Sequence, residues 1–348
     1  MQLSSITIKS QVNTCDEVWD VGFSHHGDRF VASGREGIAI CETSSLRTIF
    51  TVSTPAQVAR CHSWSSDDSK LVTGSFNEST TLSMSGTVLL WDAANGILIK
   101  SCPEKFQEPP TACEWLTYDE QSVLIATLQK PYLCEWDITS NKIRWWPETQ
   151  RRAQDMFLSL DKTQIAVIDD GLCLYVYSAN GQLKWKKEFD KRPINVSFAG
   201  SSDQVLVTLQ DGPILLIDLA SENILQRYSG TRTSCWIIRN TVGGKEGELV
   251  LGGDSEGFLH AWNKATGQRL IKVDGRHLVC NSISVHPKDP HTILSCGDDG
   301  TVKLWKMNWT MGTLETLHHA TPAEDIGLRK VSMKGRHNLY NFWHHYIG

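Results

Sequence analysis

The amino-acid sequence predicts an all-β chain closed into a seven-bladed propeller, followed by a C-terminal tail of different character. Three observations predict it. A unit of strand, turn, strand and marker residue recurs along the chain. It recurs about every 44 residues. Each copy holds four short strands set off by tight turns. The clearest copy, SCGDDGTVKLW, ends on Trp305. Sliding it back along the chain places the equivalent position at Trp262, Ile217, Tyr177, Trp136, Trp91 and Cys41. From 41 upward the gaps are 50, 45, 41, 40, 45 and 43 residues. Three of these positions lack tryptophan yet keep the alternating strands and the polar turn, so the periodicity does not rest on one residue type.

The elements follow in order. EVWDVGFS opens the first repeat, and FVASGREGIAICETSSLRTIFTV completes it. The second repeat is the long one because the polar stretch NESTTLSMS, residues 77–85, interrupts it between its second and third strands. Repeats three to six run through LIATLQKPYLCEWD, IAVIDDGLCLYVYS, LVTLQDGPILLID and GDSEGFLHAWN. In the seventh, CNSISVH, TILSC and TVKLW supply three strands, and a fourth has to come from elsewhere. A ring is sealed by borrowing a strand from the other terminus, which removes an exposed edge. A strand at about residues 4–10, around ITIKS, is expected to do this, with LETLHH at 314–319 as the alternative. The expected domains are therefore residues 1–307 as propeller and 308–348 as tail. In the tail, Leu339, Trp343 and Tyr346 have the spacing of a short amphipathic helix, docked on the propeller or on a partner.

Composition narrows the function. The chain has 348 residues, with 34 Lys and Arg against 39 Asp and Glu, a net charge of −5. Such a balance gives no bulk attraction to nucleic acid or anionic membrane. No apolar run approaches the length of a membrane span, and MQLSSITIKS lacks the basic-then-apolar order of a signal peptide. A cytoplasmic chain, also present in the nucleus, is expected. None of the ten cysteines forms a CxxC pair, and most stand in apolar strands such as GLCLYVY. They read as buried thiols, with no disulfide framework, no metal site and no cofactor.

The seventh repeat has chemistry of its own. Asp299 lies six residues before Trp305, Ser295 ten before it, and His277 in the loop that enters the blade. A buried indole N–H needs an acceptor, and a hydroxyl, an imidazole and a carboxylate can satisfy one another in series. A Ser, His and Asp together also suggest a hydrolase. No strand–elbow–helix signature accompanies them, so a structural brace is the expected role. The other six blades are expected to rely on apolar packing.

CDEVWDVGFS (15–24), GDRFVASG (27–34), YSGTRTSCWII (228–238) and NSISVHPKDPHTILSCGDDGTVKLW (281–305) occur in blade order. As an ordered series they resemble the propeller of the WD-repeat scaffold subunits of Gid/CTLH ubiquitin ligases. The resemblance covers residues 3 to 307 and includes the blades without tryptophan. It implies a non-catalytic scaffold that joins LisH–CTLH and RING subunits and helps recruit substrates. Members of that family carry LisH and CTLH helices ahead of the propeller. None precede the first repeat here, so assembly through such helices is not expected from these residues.

A partner would meet the loops that link one blade to the next. They carry Arg60, Arg151, Arg152, Arg192, Arg232 and Arg276, together with Lys105 and Lys191. The planar guanidinium fork suits carboxylate or phosphate, so an acidic or phosphorylated peptide is the alternative function, that of an adaptor in another complex. Glu104, Glu108, Glu148, Asp190 and Asp274 share these loops and argue for a mixed solvated surface instead. Trp19, Trp115 and Trp236 sit near the same mouth, as core packing or as contact anchors. Asp16, Glu17, His62, Glu114 and Asp155 also lie near first strands, but no common offset relates them, which weighs against an enzyme.

Overall fold

The structure is a computed structural model that describes residues 2–14, 16–52, 57–77, 85–116, 120–128, 132–146, 152–233 and 238–310. Arg151, Trp236, most of the 77–85 insertion, the alternative closing strand at 314–319 and the tail from residue 311 lie outside the described residues.

Leu3–Trp309 forms one compact unit of seven four-stranded antiparallel sheets. Blade 1 is built from Val18–Phe23, Arg29–Gly34, Gly37–Glu42 and Thr48–Val52, and blade 2 from Gln57–Trp64, Lys70–Asn77, Ser85–Asp92 and Leu98–Ser101. Blade 3 takes Pro110–Trp115, Ser122–Thr127, Leu133–Asp137 and Lys142–Trp145. Blade 4 takes Ala153–Leu158, Gln164–Asp169, Cys173–Ser178 and Leu183–Glu188. Blade 5 holds Pro193–Phe198, Gln204–Leu209, Ile214–Asp218 and Ile224–Tyr228. Blade 6 holds Thr241–Gly243, Leu249–Gly253, Phe258–Asn263 and Arg269–Asp274. Blade 7 combines Cys280–Val285, Thr292–Gly297 and Thr301–Thr310 with the N-terminal strand Gln2–Asn13 on its outer edge.

All seven marker residues stand on third strands, and all are buried. The last of these strands continues to Thr310, three residues past the boundary that the repeat sets at Met307. There the Asn308 side-chain amide donates to Ser5 and Thr7, and the Asn308 backbone carbonyl accepts from the Ser4 hydroxyl at 2.9 Å.

Burial grades outward along each sheet. Second strands such as SVLIAT and TILSCG are buried throughout, since both of their faces meet a neighbouring blade. Fourth strands alternate, and LKWKKE in blade 4 turns Lys184, Lys186 and Glu188 towards solvent, a charge pattern that discourages pairing at the free edge. The core is accordingly not one mass. Among the described residues it divides into seven apolar clusters, one at each junction between successive blades. Apolar burial thus glues blade to blade as much as strand to strand.

Candidate functional site: the axial cluster and the arginine-bearing face

First strands form the inner ends of the sheets and pack on their neighbours around the axis. Six of them carry a register shift near their start, at Val18/Asp20, Ala59/Cys61, Pro110/Ala112, Ala153/Asp155, Pro193/Asn195 and Cys280/Ser282. A bulge of this kind bends the strand and re-aims the side chains on either side of it. The residues just after the shift are therefore equivalent, and in blades 1, 4, 5 and 7 they are polar: Asp20, Asp155, Asn195 and Ser282.

Arg239, in the connection leading into blade 6, ties this ring together. Its Nε lies 3.2 Å from Asp20 Oδ2 of blade 1, and its terminal nitrogen lies 3.3 Å from Asp155 Oδ1 of blade 4. Its backbone N–H donates to Asn281 O of blade 7 at 2.8 Å. The other oxygen of each carboxylate is also used. Ser282 donates to Asp20 at 2.8 Å, and Asn195 Nδ2 donates to Asp155 at 2.8 Å. Asn240 joins through its backbone N–H to Asn195 Oδ1 and through its side-chain amide to Thr208. On the blade 2 side, His62 Nδ1 is 2.9 Å from Ser33 Oγ and 3.7 Å from Asp20, and Ser63 donates to Glu114 of blade 3 at 2.9 Å. Every blade contributes to one polar cluster.

Its electrostatics follow from burial and from which charges meet. Burial pushes the Glu114 carboxyl up to about 7, with Ser63 and Arg239 opposing and the two aspartates reinforcing. Burial raises Asp155 as well, against the pull of Arg239. The Arg239 guanidinium is held more firmly protonated than usual, because Asp155 and Asp20 outweigh its burial. Half-buried Arg60 goes the other way, down to about 10, through burial and the repulsion of Arg239. Burial lowers His62 and so keeps it neutral. The cluster is an internally compensated brace. Among the described residues no group of three or more His, Cys, Asp or Glu is arranged to hold a metal ion.

The structure brings His277, Ser295, Asp299 and Trp305 together. Trp305 Nε1 donates to Ser295 Oγ at 2.8 Å, Ser295 Oγ lies 2.8 Å from His277 Nε2, and His277 Nδ1 lies 2.8 Å from Asp299 Oδ1. An ionised carboxylate only accepts, so the imidazole proton is on Nδ1, and the Ser295 hydroxyl donates to Nε2. Burial keeps His277 neutral against the pull of Asp299, while His277 and Lys303 hold Asp299 well below the usual carboxylate range. The distances are those of a hydrolase triad, but Ser295 is 0% exposed and its oxygen is taken by the indole. No carbonyl can reach it. Ser295→Ala leaves the indole N–H and His277 Nε2 without partners, and is expected to cost about 2 to 4 kcal/mol of stability in urea unfolding.

The expectation that the other blades rest on apolar packing alone is corrected. In blade 4 Asp169 accepts from the backbone of Gly171 and Cys173 and from the Tyr175 hydroxyl. In blade 6 Asp254 does the same with Glu256, Phe258 and His260 Nε2. Trp91, Trp136 and Trp262 each have an acceptor of their own, in Thr73, Asn141 and the Ser229 carbonyl. The signal was present in sequence as an aspartate six residues ahead of an aromatic ring, in DDGLCLY and DSEGFLH.

The arginines divide. Arg60 belongs to the axial cluster. Arg152 and Arg192 occupy one register position, immediately before the first strands of blades 4 and 5. Their carbonyls accept from Asp170 and Gln210 in the adjacent second-to-third-strand turns. Arg192 also reaches Gln154. Arg232 is exposed but paired with Glu256 at 2.7 Å. Arg276 is exposed, and its guanidinium makes no ion pair among the described residues. Trp19 is half-buried, stacked on Phe76 with ring centres 6.5 Å apart, and donates to Glu17. Trp115 is buried and donates to the Ser63 carbonyl. Sequence reasoning missed Asp20, Arg239, Asn195, Asn240 and Ser282. The only trace of Asp20, Asn195 and Ser282 is a polar residue inside first strands that otherwise read as apolar, and Arg239 and Asn240 lie in the connection ahead of Thr241, outside any strand pattern.

Comparison with known proteins fits this architecture. Residues 268–306 match the model of the WD domain, G-beta repeat. The chain is 23% identical over 322 residues to the WD repeat-containing protein 26 homolog of Arabidopsis thaliana, covering 88% of this chain and 51% of that protein. It is 25% identical over 314 residues to the WD repeat-containing protein WDS homolog of the same plant, covering 87% and 58%. It is 24% identical over 183 residues to GID complex subunit 7 of Schizosaccharomyces pombe, covering 50% and 36%. The chain thus spans about half the length of the curated relatives it matches over most of its own sequence. It is a seven-bladed β-propeller that carries a WD repeat and is similar along most of its length to WD-repeat proteins.

Proposed function

We propose that this propeller is a non-catalytic protein-interaction scaffold, serving as the propeller of a Gid-type ubiquitin-ligase assembly. One observation carries the reading: its likeness to WD-repeat proteins, GID complex subunit 7 among them, runs through a propeller whose buried acids and bases are spent on one another. The partners are the helical LisH–CTLH and RING subunits, and a substrate. The place of action is the cytosol and nucleus. The eight described cysteines, free and buried, are what a reducing compartment permits.

The test is affinity purification of the chain from its native cells, with mass spectrometry of what co-elutes. A parallel sample should end at Thr310, so that the strand pairing with Ser4, Ser5 and Thr7 is kept. Recovery of LisH–CTLH and RING subunits is expected. Their absence from both samples, with other proteins retained, would replace the ligase by another assembly. Loss only from the shorter chain would assign docking to residues 311–348.

A further inference from the structure

The turn that enters blade 7, Asp274-Gly275-Arg276-His277-Leu278, is anchored on every side. Gly275 N–H donates to the Gly257 carbonyl at 3.0 Å, and Arg276 N–H donates to Asp274 Oδ1 at 2.8 Å. The Arg276 carbonyl accepts from Lys303 Nζ at 2.9 Å, an ammonium held almost wholly inside the blade by Asp299. His277 plugs into the Ser295–Asp299 network. The fit leaves no slack, since a Cβ on Gly257 would stand 1.9 Å from the His277 carbonyl oxygen.

At the apex of this fixed turn Arg276 adopts φ +53°, a conformation that glycine takes without strain and arginine does not. The apex nevertheless carries the long cationic side chain. Two positions on, Leu278 is 59% exposed, a large apolar side chain directed to solvent next to the buried His277. Backbone strain kept beneath an exposed charge and an exposed apolar group is a reason to look for a binding role.

We propose that Arg276 and Leu278 form a preorganised anchor for a linear segment of a partner protein, with a carboxylate paired to Arg276 and an apolar side chain laid against Leu278. This rests on the scaffold reading and gives it a point of contact. Charge complementarity selects the occupant. Arg276 is the described candidate arginine of this face whose guanidinium is exposed and makes no ion pair among the described residues, whereas Arg232 is already neutralised by Glu256. Asp274 is exposed beside it, and on the neighbouring turn Glu256 is already paired with Arg232. A singly charged carboxylate is tolerated beside Asp274. A phosphate, with nearly twice the charge, meets more of its repulsion. Because the turn is already fixed, binding orders little new backbone, and more of the contact energy appears as affinity.

The experiment uses the full chain and three fluorescein-labelled peptide pools of Gly, Ser and Ala background. The first holds Asp or Glu two residues before Leu, Ile or Phe. The second has Asn or Gln in place of the acid, and the third has phosphoserine there. Fluorescence polarisation is expected to show saturable binding of the acidic pool, weaker by about tenfold for the amide pool and for the phosphoserine pool. Arg276→Gly is expected to lower binding of the acidic pool by about tenfold while keeping or raising Tm, since glycine suits the positive φ. Leu278→Ser is expected to weaken it by severalfold. Absence of saturable binding by the unaltered chain, equal binding by Arg276→Gly, or tighter binding of the phosphoserine pool would each overturn the proposal. Ligase subunits co-purifying unchanged with Arg276→Gly would leave the scaffold reading standing on its own.

Discussion

Replacing Arg239 with methionine is expected to cost about 3 to 5 kcal/mol of stability at pH 7.5, the largest loss from any single substitution in the axial cluster. The reason is the state left behind. Asp20 and Asp155 remain buried, still bonded to Ser282 and Asn195, but without the cation that both engage. Truncating one partner of a buried ion pair strands the other, which costs more than the pair itself was worth. The stranded Asp155 carboxyl, already raised by burial, regains neutrality by taking up a proton, so its pKa rises further in the folded variant. A carboxyl raised in the folded state favours folding at low pH and loses that contribution as pH increases. The deficit of Arg239→Met should therefore shrink between pH 7.5 and pH 5.5, read as the difference in urea midpoint from the unaltered protein. Asp20→Asn and Asp155→Asn added to Arg239→Met should recover much of the loss at pH 7.5. A deficit independent of pH and untouched by the added asparagines would show that Arg239 acts through packing alone.

Glu114→Gln should act in the opposite direction. With its folded pKa near 7 and an unfolded value of 4.5, Glu114 is protonated in the fold over a range where the free chain would ionise it. Its neutral form is compatible with folding below about pH 4.5, and the resulting advantage is lost as pH rises through 7. Glutamine is neutral throughout and can still accept from Ser63. The variant should match the unaltered protein near pH 5 and exceed it by about 2 to 3 kcal/mol at pH 8.5. His62 and His277, both lowered by burial, bias stability the other way below about pH 6.5. They are common to both proteins and cancel in the comparison. Equal midpoints at pH 8.5 would place the ordinary, ionised form of Glu114 in the fold.

What the sequence made legible was whatever is encoded locally. Strand alternation, turn glycines and the marker spacing all act within one blade, and Cys41 and Ile217 were found as readily as Trp305 because the period does not depend on them. The blade 7 network was readable because His277, Ser295, Asp299 and Trp305 fall within 29 residues. The axial cluster was not. Asp20, Asp155 and Arg239 come from three blades, and their convergence depends on bulges that shift the register by one residue. Linear spacing therefore shows Glu114, His62 and Asp155 at unrelated offsets although they share one cluster. Arg239 is further hidden because it ends the long connection from Tyr228 to Thr241, where no repeat spacing applies. The arginine loops were visible, but which charges are already met was not. Glu256, which neutralises Arg232, lies 24 residues away.

The strand that seals the ring sets a timetable for biosynthesis. Ser4 bonds Asn308 across a separation of 304 residues. At about 5 to 20 residues per second, the ribosome takes about 15 to 60 s to deliver that partner after the first strand has been made. Throughout that interval Gln2–Asn13 has no place in a sheet, while blades 1 to 6 can pack junction by junction as they emerge. The nascent chain therefore carries an unpaired β-segment ahead of blade 1 and an open flank on blade 1 itself. Both invite mispairing between neighbouring chains on a polysome, and both vanish in the single step that joins the propeller's earliest strand to its latest.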